Sequence, residues 1–137
     1  MGASANSAKW GHTLARRAVE SPADRTVLLV SQRGGRLLGR PVFTSVAEAA
    51  NAEQVEVDLV IVCVPVESLL SAVVDAVAAG ARAIVVITAG LAESGAAGNA
   101  LEQQLVVVAR AGGAVLVGPN CLGVADPRAG LQLAHSE

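Results

Sequence analysis

The residues best suited to do chemistry lie at the start of the chain, where residues 2–7 are small or polar and a predicted helix over about residues 8–20 follows. Such a turn leaves backbone N–H groups free in front of the positive end of the helix dipole. Lys9 adds a positive charge in the first turn. The pattern indicates an anion site, best suited to phosphate. On these residues alone, the alternative is an ordinary helix start capped by Ser4 or Ser7.

A second positive charge follows the next predicted strand, residues 26–30, where Ser31 and Gln32 precede Arg33. In a dinucleotide-binding unit, the end of this strand usually carries an acidic residue that binds the ribose hydroxyls of NAD. A cation at that place suits a phosphorylated ribose instead, as in NADP or coenzyme A. The alternative is a solvated arginine in a loop.

Three short apolar runs must position these groups. They are residues 59–64, 83–87 and 115–117. Each run is rich in β-branched residues and lacks alternation, which predicts strands buried on both faces of a parallel sheet. The runs end in small, turn-forming residues at Val64 and Pro65, at residues 88–90 and at residues 118–120. Ligands bind at the carboxyl ends of such strands, so the site is expected there.

The predicted strands alternate with helices. Helical spacing of apolar residues covers residues 46–52, 67–79 and 99–111, and a short edge strand is expected at residues 41–43. This order predicts an α/β fold with a Rossmann-type, doubly wound parallel sheet in three layers. Residues 1–123 form the predicted domain, while residues 124–137 show no clear period and are interpreted as a tail or the start of a following domain.

The composition excludes several classes of function. The chain has 137 residues, a formal net charge of −2 and 1% aromatic residues. It therefore lacks the basic field and the stacking platform of nucleic-acid binding proteins. No apolar run approaches the roughly 20 residues of a membrane helix, and no signal peptide is visible, so a cytoplasmic protein is expected. Cys63 and Cys121 are expected to be free thiols, and their spacing argues against a metal site.

Five motifs in a fixed order carry a resemblance to a known family. They are GASANSAKWG at residues 2–11, RGG at residues 33–35, VPVE at residues 64–67, TAG at residues 88–90 and GPNCLG at residues 118–123. Together they resemble the coenzyme A-binding domain of NDP-forming acyl-CoA synthetases. That family includes the alpha subunit of succinyl-CoA synthetase, and some protein acetyltransferases carry the same domain. The resemblance runs from Gly2 to about Leu131, and GPNCLG is its most specific part.

The resemblance implies coenzyme A or an acyl-CoA as the ligand. It places the phosphates among Gly2, Ala3, Ser4, Asn6 and Lys9, with Ser31 and Arg33 at the neighbouring strand end. Arg33 stands where the family usually has lysine. The adenosine and pantetheine groove is expected along Val64, Pro65 and Glu67. The thiol end is expected near Ala89, Gly90, Asn120 and Cys121.

No catalytic residue is assigned. Cys121 has no histidine or carboxylate placed by sequence to activate it, and a small buried thiol explains it as well. His12 is interpreted as a helix surface residue and His135 as a tail residue, since the family's phosphate-relaying histidine lies in a later domain. The chain alone is therefore expected to bind coenzyme A without catalysis. The parent enzyme is an acid-thiol ligase whose ligase or nucleotide-grasp domain or subunit is the expected partner, and a homo-oligomer is left open.

The start of the chain departs from the family pattern. The family domain opens with an apolar strand that ends at the first glycine, whereas Met1 directly precedes Gly2 here. The resemblance places that strand in the centre of the sheet, between residues 26–30 and 59–64, so the first central strand is expected to be missing. Three explanations stay open: a truncated start, direct pairing of the flanking strands, or a strand from another chain.

Two other functions remain alternatives at this point. The first is a fragment of an NADP-dependent oxidoreductase, which the cation after the second strand permits. However, the first turn is not G-x-G-x-x-G, and no acid-base pair is visible. The second is a non-catalytic regulatory module that has lost ligand binding.

Overall fold

The structure, a computed structural model, describes residues 1–134. The helices of this part are α1 (Trp10–Glu20), α2 (Val46–Glu53), α3 (Leu69–Ala78) and α4 (Ala96–Ala111). The strands are β1 (Leu29–Val30), β2 (Arg36–Leu37), β3 (Arg40–Phe43), β4 (Leu59–Val62), β5 (Ala83–Val86), β6 (Val115–Val117), β7 (Gly123–Asp126) and β8 (Leu131–Ala134). None of the helices within residues 1–134 is long and apolar enough to cross a bilayer.

The strands form two parallel groups side by side. In one group β5 pairs with β4 and β6, and in the other β1 pairs with β3, whose far edge carries the antiparallel β2. Met1 and Gly2 lie between the groups and are hydrogen-bonded to both. The order across the sheet is therefore β2, β3, β1, residues 1–2, β4, β5, β6, which is the order of doubly wound folds. The predicted Rossmann-type α/β fold is confirmed.

Only Met1 and Gly2 stand where the first central strand was expected. The carbonyl oxygen of Met1 accepts from the N–H of Cys63 (3.0 Å), and the N–H of Gly2 donates to the carbonyl oxygen of Val30 (2.9 Å). Strands β1 and β4 do not pair with each other. Direct pairing, one of the three explanations considered above, is therefore not what this fold uses.

Helices cover both faces of the sheet. On one face Ile84 of β5 is fully buried with Leu69 of α3 and Leu105 of α4. On the other face Leu14 of α1 packs with Val85. Burial of the central strands on both faces is what their unbroken apolar sequence requires, because neither face meets water.

The hairpin of β7 and β8 follows the sheet and packs on α1. The hydroxyl of Ser21 donates to the carbonyl oxygen of Gly130 (3.0 Å), and the guanidinium of Arg17 donates to that of Ala134. The hairpin lies in the segment from residue 124 onward, in which the sequence shows no clear period of apolar residues. The assignment of residues 124–137 to a tail or a following domain stays a prediction, and His135 lies outside the described residues.

Several elements are shorter than the sequence predicts, and strand β1 and helix α1 are two of them. Strand β1 is limited to Leu29–Val30 because β3 pairs with it only there. Helix α1 begins at Trp10 because the chain from Asn6 to Lys9 forms a turn, in which the N–H of Lys9 donates to the carbonyl oxygen of Asn6 (3.0 Å).

The buried amino group of Met1 should make stability depend on pH. It donates to the carbonyl oxygen of Ile61 (2.6 Å). Burial lowers its pKa from 8.0 to about 6, and the nearby Cys63 and Asp75 oppose this shift. The folded chain then binds fewer protons than the unfolded chain, so stability is full above pH 8.0 and is lost as the pH falls to about 6.

We expect the free energy of unfolding, measured by urea titration, to fall by roughly 2 to 3 kcal/mol across this interval. A free energy that stays level over the same range would contradict the burial of this amine.

Candidate functional site

A groove of about 1130 Å³ crosses the carboxyl ends of the strands. It brings together most of the residues predicted for the site. These are Gly2, Ala3, Ser4, Lys9, Ser31, Arg33, Val64, Pro65, Ala89, Asn120 and Cys121. Asn6, Glu67 and Gly90 do not line it. The assignment of all these residues to ligand binding stays a prediction.

The loop of residues 2–9 is folded by its own side chains. The side-chain oxygen of Asn6 accepts from the N–H of Ala8 (3.0 Å), and the N–H of Asn6 donates to the hydroxyl of Ser4 (3.1 Å). On α1, Nδ1 of His12 lies 2.9 Å from the carbonyl oxygen of Ser4. Asn6 and His12 therefore shape the loop from outside the groove.

Two glycines let this loop lie directly on its supports. A Cβ on Gly11 would lie 1.9 Å from the carbonyl oxygen of Gly2. A Cβ on Gly2, whose φ is +87°, would lie 2.0 Å from the carbonyl oxygen of Cys63. The loop is thus clamped between α1 and the end of β4, and only glycine permits either approach.

The clamped loop presents donors and positive charge to the groove. Among residues 1–134, no hydrogen-bond acceptor is recorded for the N–H groups of Ser4 and Ala5. The exposed side chains of Lys9 and Arg33 line the same groove. Together with the amino end of α1, these groups form a site suited to phosphate.

The three strand tips beyond the loop are tied together by hydrogen bonds. The hydroxyl of Thr88 donates to the carbonyl oxygen of Val64 (2.7 Å), and the N–H of Asn120 donates to the carbonyl oxygen of Thr88 (2.9 Å). The thiol of Cys121 donates to the carbonyl oxygen of Val86 (3.3 Å). The far end of the groove is therefore a bonded surface built from three separate turns.

Removing the hydroxyl of Thr88 should loosen that surface. We expect Thr88→Val to lower the free energy of unfolding by about 1 to 2 kcal/mol, because the carbonyl oxygen of Val64 loses its recorded donor. Thr88→Ser keeps the hydroxyl and serves as the control. Equal urea stability of the two variants would contradict a role for this hydrogen bond.

Glu67 and Gly90 lie in the turns after β4 and β5, outside the residues that line the groove. Glu67 belongs to a single 3₁₀ turn, Val66–Ser68, that leads into α3. The N–H of Gly90 donates to the carboxylate of Glu93 (2.5 Å), and this hydrogen bond lowers the pKa of Glu93. The expected contact of Glu67 and Gly90 with a ligand stays a prediction.

The groove also contains polar residues that the sequence analysis did not select. Ser68 and Ser71 lie at the start of α3, and Arg36 and Thr44 lie near Arg33. The three-residue spacing of the two serines places both hydroxyls on one helical face directly after the Pro65 turn. That spacing was the available signal for Ser68 and Ser71.

The two cysteines are half-buried free thiols. Burial raises the pKa of Cys63, which favours its uncharged form. Among residues 1–134, no cluster of three histidine, cysteine or carboxylate side chains could hold a metal ion. The groove lining offers backbone amides, hydroxyls and cations that can bind a ligand.

A doubly wound sheet with a clamped glycine loop and cations at its carboxyl end is typical of domains that bind a phosphorylated ligand. The family model described as "CoA binding domain" matches residues 1–127. The chain therefore belongs to the coenzyme A-binding domain family, and the resemblance deduced from the motifs is confirmed.

Curated relatives include the ADP-forming acetate–CoA ligase I of Archaeoglobus fulgidus, 34% identical over 99% of this chain. The alpha subunit of the ADP-forming acetate–CoA ligase II of Pyrococcus furiosus is 31% identical over 96% of the chain. This chain spans only 19% and 28% of those two proteins, respectively.

Solved structures of similar fold include the acetyl-coenzyme A synthetase 1 of Ca. Korarchaeum cryptofilum in complex with phosphate and ADP. The TM-score is 0.88 and the sequence identity is 28%, over 97% of this chain and 27% of that one. A protein from Pyrococcus horikoshii OT3 gives a TM-score of 0.90 at 28% identity, over 98% of this chain and 30% of that one.

Proposed function

We propose that the chain binds coenzyme A or an acyl-CoA in the groove, as the coenzyme A-binding module of an NDP-forming acyl-CoA synthetase. The observation that carries this proposal is that the loop of residues 2–9, Arg33 and the turn of residues 118–120 contribute to one continuous groove. The parts were separate motifs in the sequence, and only a long ligand would contact all of them.

The chemistry of the groove fits that ligand. Coenzyme A carries phosphates at its nucleotide end and an uncharged pantetheine arm that ends in a thiol. Lys9, Arg33 and the loop amides provide for the phosphates, while Val64 and Ala89 offer apolar surface for the arm. At about 1130 Å³ the groove lies just above the usual range of roughly 300 to 1,000 Å³ for small-molecule sites, as a long ligand requires.

The proposal assigns binding to this chain and catalysis to a partner. The thiol of Cys121 donates to the carbonyl oxygen of Val86, so it is engaged in the fold. The reaction of the whole enzyme would be acyl-CoA, NDP and phosphate giving acid, coenzyme A and NTP, reversibly. A ligase or nucleotide-grasp domain or subunit would supply the remaining groups, and a relative that is itself a subunit alpha supports such a division. A cytoplasmic location is part of the proposal.

Titration calorimetry with coenzyme A tests the binding directly. We expect one molecule to bind per chain with a dissociation constant below ~1 mM. Weaker binding would overturn the proposal. Thermal protection by NADPH but not by coenzyme A would instead support the oxidoreductase alternative, which the family match does not favour.

A further inference from the structure

Two helices begin at the groove, and their amino ends differ in what they can bind. The first turn of α1 has no side-chain cap within residues 1–134, and Lys9 adds a positive charge there. At the start of α2, a carboxylate of the protein already lies where an anion would bind. Asp75 of α3 accepts from the N–H of Val46 (2.8 Å) and lies 3.5 Å from the nitrogen of Ala47. A phosphate is therefore attracted to the end of α1 and repelled from the end of α2.

The carboxylate that caps α2 is also part of the groove lining. Asp75 lines the groove together with Ser71 and Ala72 of α3 and with Ser68, the N-cap residue of that helix. Their spacing of three, four and seven residues places all four on one face of the helix. Ala72 is only 4% exposed and ends in a methyl group, so it leaves room between the hydroxyls and the carboxylate. This face of α3 suits a flat ligand group that carries polar atoms at its edge.

The side chains on this face differ in hydrogen-bonding capacity. The carboxylate of Asp75 only accepts, and its two oxygens can accept about four hydrogen bonds in all, more than the two that α2 uses. The hydroxyl of Ser71 donates to the carbonyl oxygen of Ser68 (3.0 Å). Within residues 1–134, no hydrogen bond is recorded for the hydroxyl of Ser68, which can therefore donate to a ligand. The face thus matches a ligand edge with a donor beside an acceptor.

The adenine base of coenzyme A has such an edge, because its exocyclic amino group lies beside a ring nitrogen that accepts. The rest of the ligand has other places in the groove. The phosphates fit the loop of residues 2–9 and Arg33, and the pantetheine arm fits the apolar surface of Val64 and Ala89. The ribose carries both its phosphate and the base, so the base has to lie one sugar away from the phosphate that Arg33 attracts. The polar face of α3 is the part of the lining that remains for it.

We propose that Asp75 and Ser68 determine which base the groove accepts. The carboxylate of Asp75 accepts from the amino group of adenine, and the hydroxyl of Ser68 donates to the neighbouring ring nitrogen. Hypoxanthine has a carbonyl oxygen in place of the amino group, and two acceptors would then face each other, which a site built for a hydrogen bond rejects. The inference rests on the proposed function, because it concerns the base of the ligand that the groove is proposed to bind.

Titration calorimetry with two ligands tests this assignment. One is coenzyme A, and the other is its analogue with hypoxanthine in place of adenine. We expect the original chain to bind coenzyme A at least 30-fold more tightly, about the effect of a lost hydrogen bond to a charged group. In Asp75→Asn, the side-chain oxygen can still accept from the N–H of Val46, and its amide N–H groups can donate to the carbonyl oxygen of hypoxanthine. The preference should therefore fall below about threefold or reverse.

The matched control is Glu48→Gln, which makes the same change of charge at the start of α2. Glu48 is exposed and does not line the groove, so this variant should keep the preference of the original chain. The ratio of the two affinities is measured within each variant, so a general loss of affinity cancels. A preference in Asp75→Asn equal to that of the original chain would overturn the role of Asp75.

A third ligand keeps the test decisive if Asp75→Asn does not fold. The purine analogue of coenzyme A, with hydrogen in place of the amino group, removes the same contact without changing the protein. We expect the original chain to bind it about 10- to 100-fold more weakly than coenzyme A. Equal affinity for all three ligands would overturn the recognition of the base and leave the proposed function standing. Failure to bind any of them would overturn the proposed function and this inference with it.

Discussion

The variant Gly11→Ala is expected to lose binding of coenzyme A by about 100-fold or more, equivalent to ~2.7 kcal/mol. The new Cβ would lie 1.9 Å from the carbonyl oxygen of Gly2. That oxygen cannot retreat, because Gly2 itself lies against the carbonyl oxygen of Cys63 and donates its N–H to Val30. The whole loop of residues 2–9 would have to lift from the groove, and its N–H groups would move with it.

In Gly11→Ala, the steric clash and the helix propensity change the free energy of unfolding in opposite directions. Gly11 lies inside α1, where alanine in place of glycine would ordinarily stabilise the helix by about 1 kcal/mol. We expect a net destabilisation of about 1 to 3 kcal/mol instead, because the site is overpacked against backbone. Urea titration and calorimetry with coenzyme A measure the two effects.

Gly80→Ala is the matched control for this experiment. Gly80 has a φ of +79°, a Cβ added to it would meet no neighbouring atom within 4 Å, and it has no place in the groove lining. We expect a loss of about 1 to 2 kcal/mol in stability from the left-handed backbone, with unchanged affinity for coenzyme A. If Gly11→Ala bound coenzyme A as tightly as this control, the loop would not be the phosphate site.

Strands β4, β5 and β6 could be predicted from the sequence because each is an unbroken apolar run. The expected burial on both faces was wrong for β6, which lies at the edge of the sheet and leaves Val115 and Val117 exposed (63% and 43%). The turns after the three strands were also predictable, since Pro65, Gly90 and Gly118 interrupt those runs at their carboxyl ends. A parallel sheet brings all three ends to one edge, so the position of the groove followed from the fold class. What the sequence did not show is that Thr88 bonds the turns to one another.

The hairpin of β7 and β8 could not be predicted, because its stability does not come from its own pattern. Its strands are held against α1 by contacts from Ser21 and Arg17, which lie over a hundred residues earlier in the chain. The conformation of the loop of residues 2–9 could likewise be predicted only in part. The composition of the loop indicated an anion site, but it could not show that the side-chain oxygen of Asn6 accepts from the N–H of Ala8 and so folds the loop, because that contact depends on how the turn closes.

Arg33→Glu is expected to weaken the binding of coenzyme A by roughly 10- to 100-fold, which corresponds to about 1.4 to 2.7 kcal/mol. Arg33 follows the end of β1, where its N–H lies 3.4 Å from the hydroxyl of Ser31, and its side chain lines the groove. A carboxylate there would repel the phosphates that the guanidinium attracts. The difference should shrink as salt is added, since the Debye length is about 8 Å at physiological ionic strength.

The control for this charge reversal is Arg40→Glu, which changes the net charge equally. Arg40 is exposed on β3 and does not line the groove, so we expect less than about a threefold change in affinity, the size of a screened long-range effect.

Coenzyme A lacking its ribose phosphate gives a second comparison. If Arg33 contacts the ribose phosphate, the original chain should bind the ligand without that phosphate more weakly than it binds coenzyme A. The variant Arg33→Glu should bind the two ligands with nearly equal affinity. Equal losses for Arg33→Glu and Arg40→Glu would mean that only the overall field of the protein attracts the ligand, and Arg33 would then have no specific place in the site.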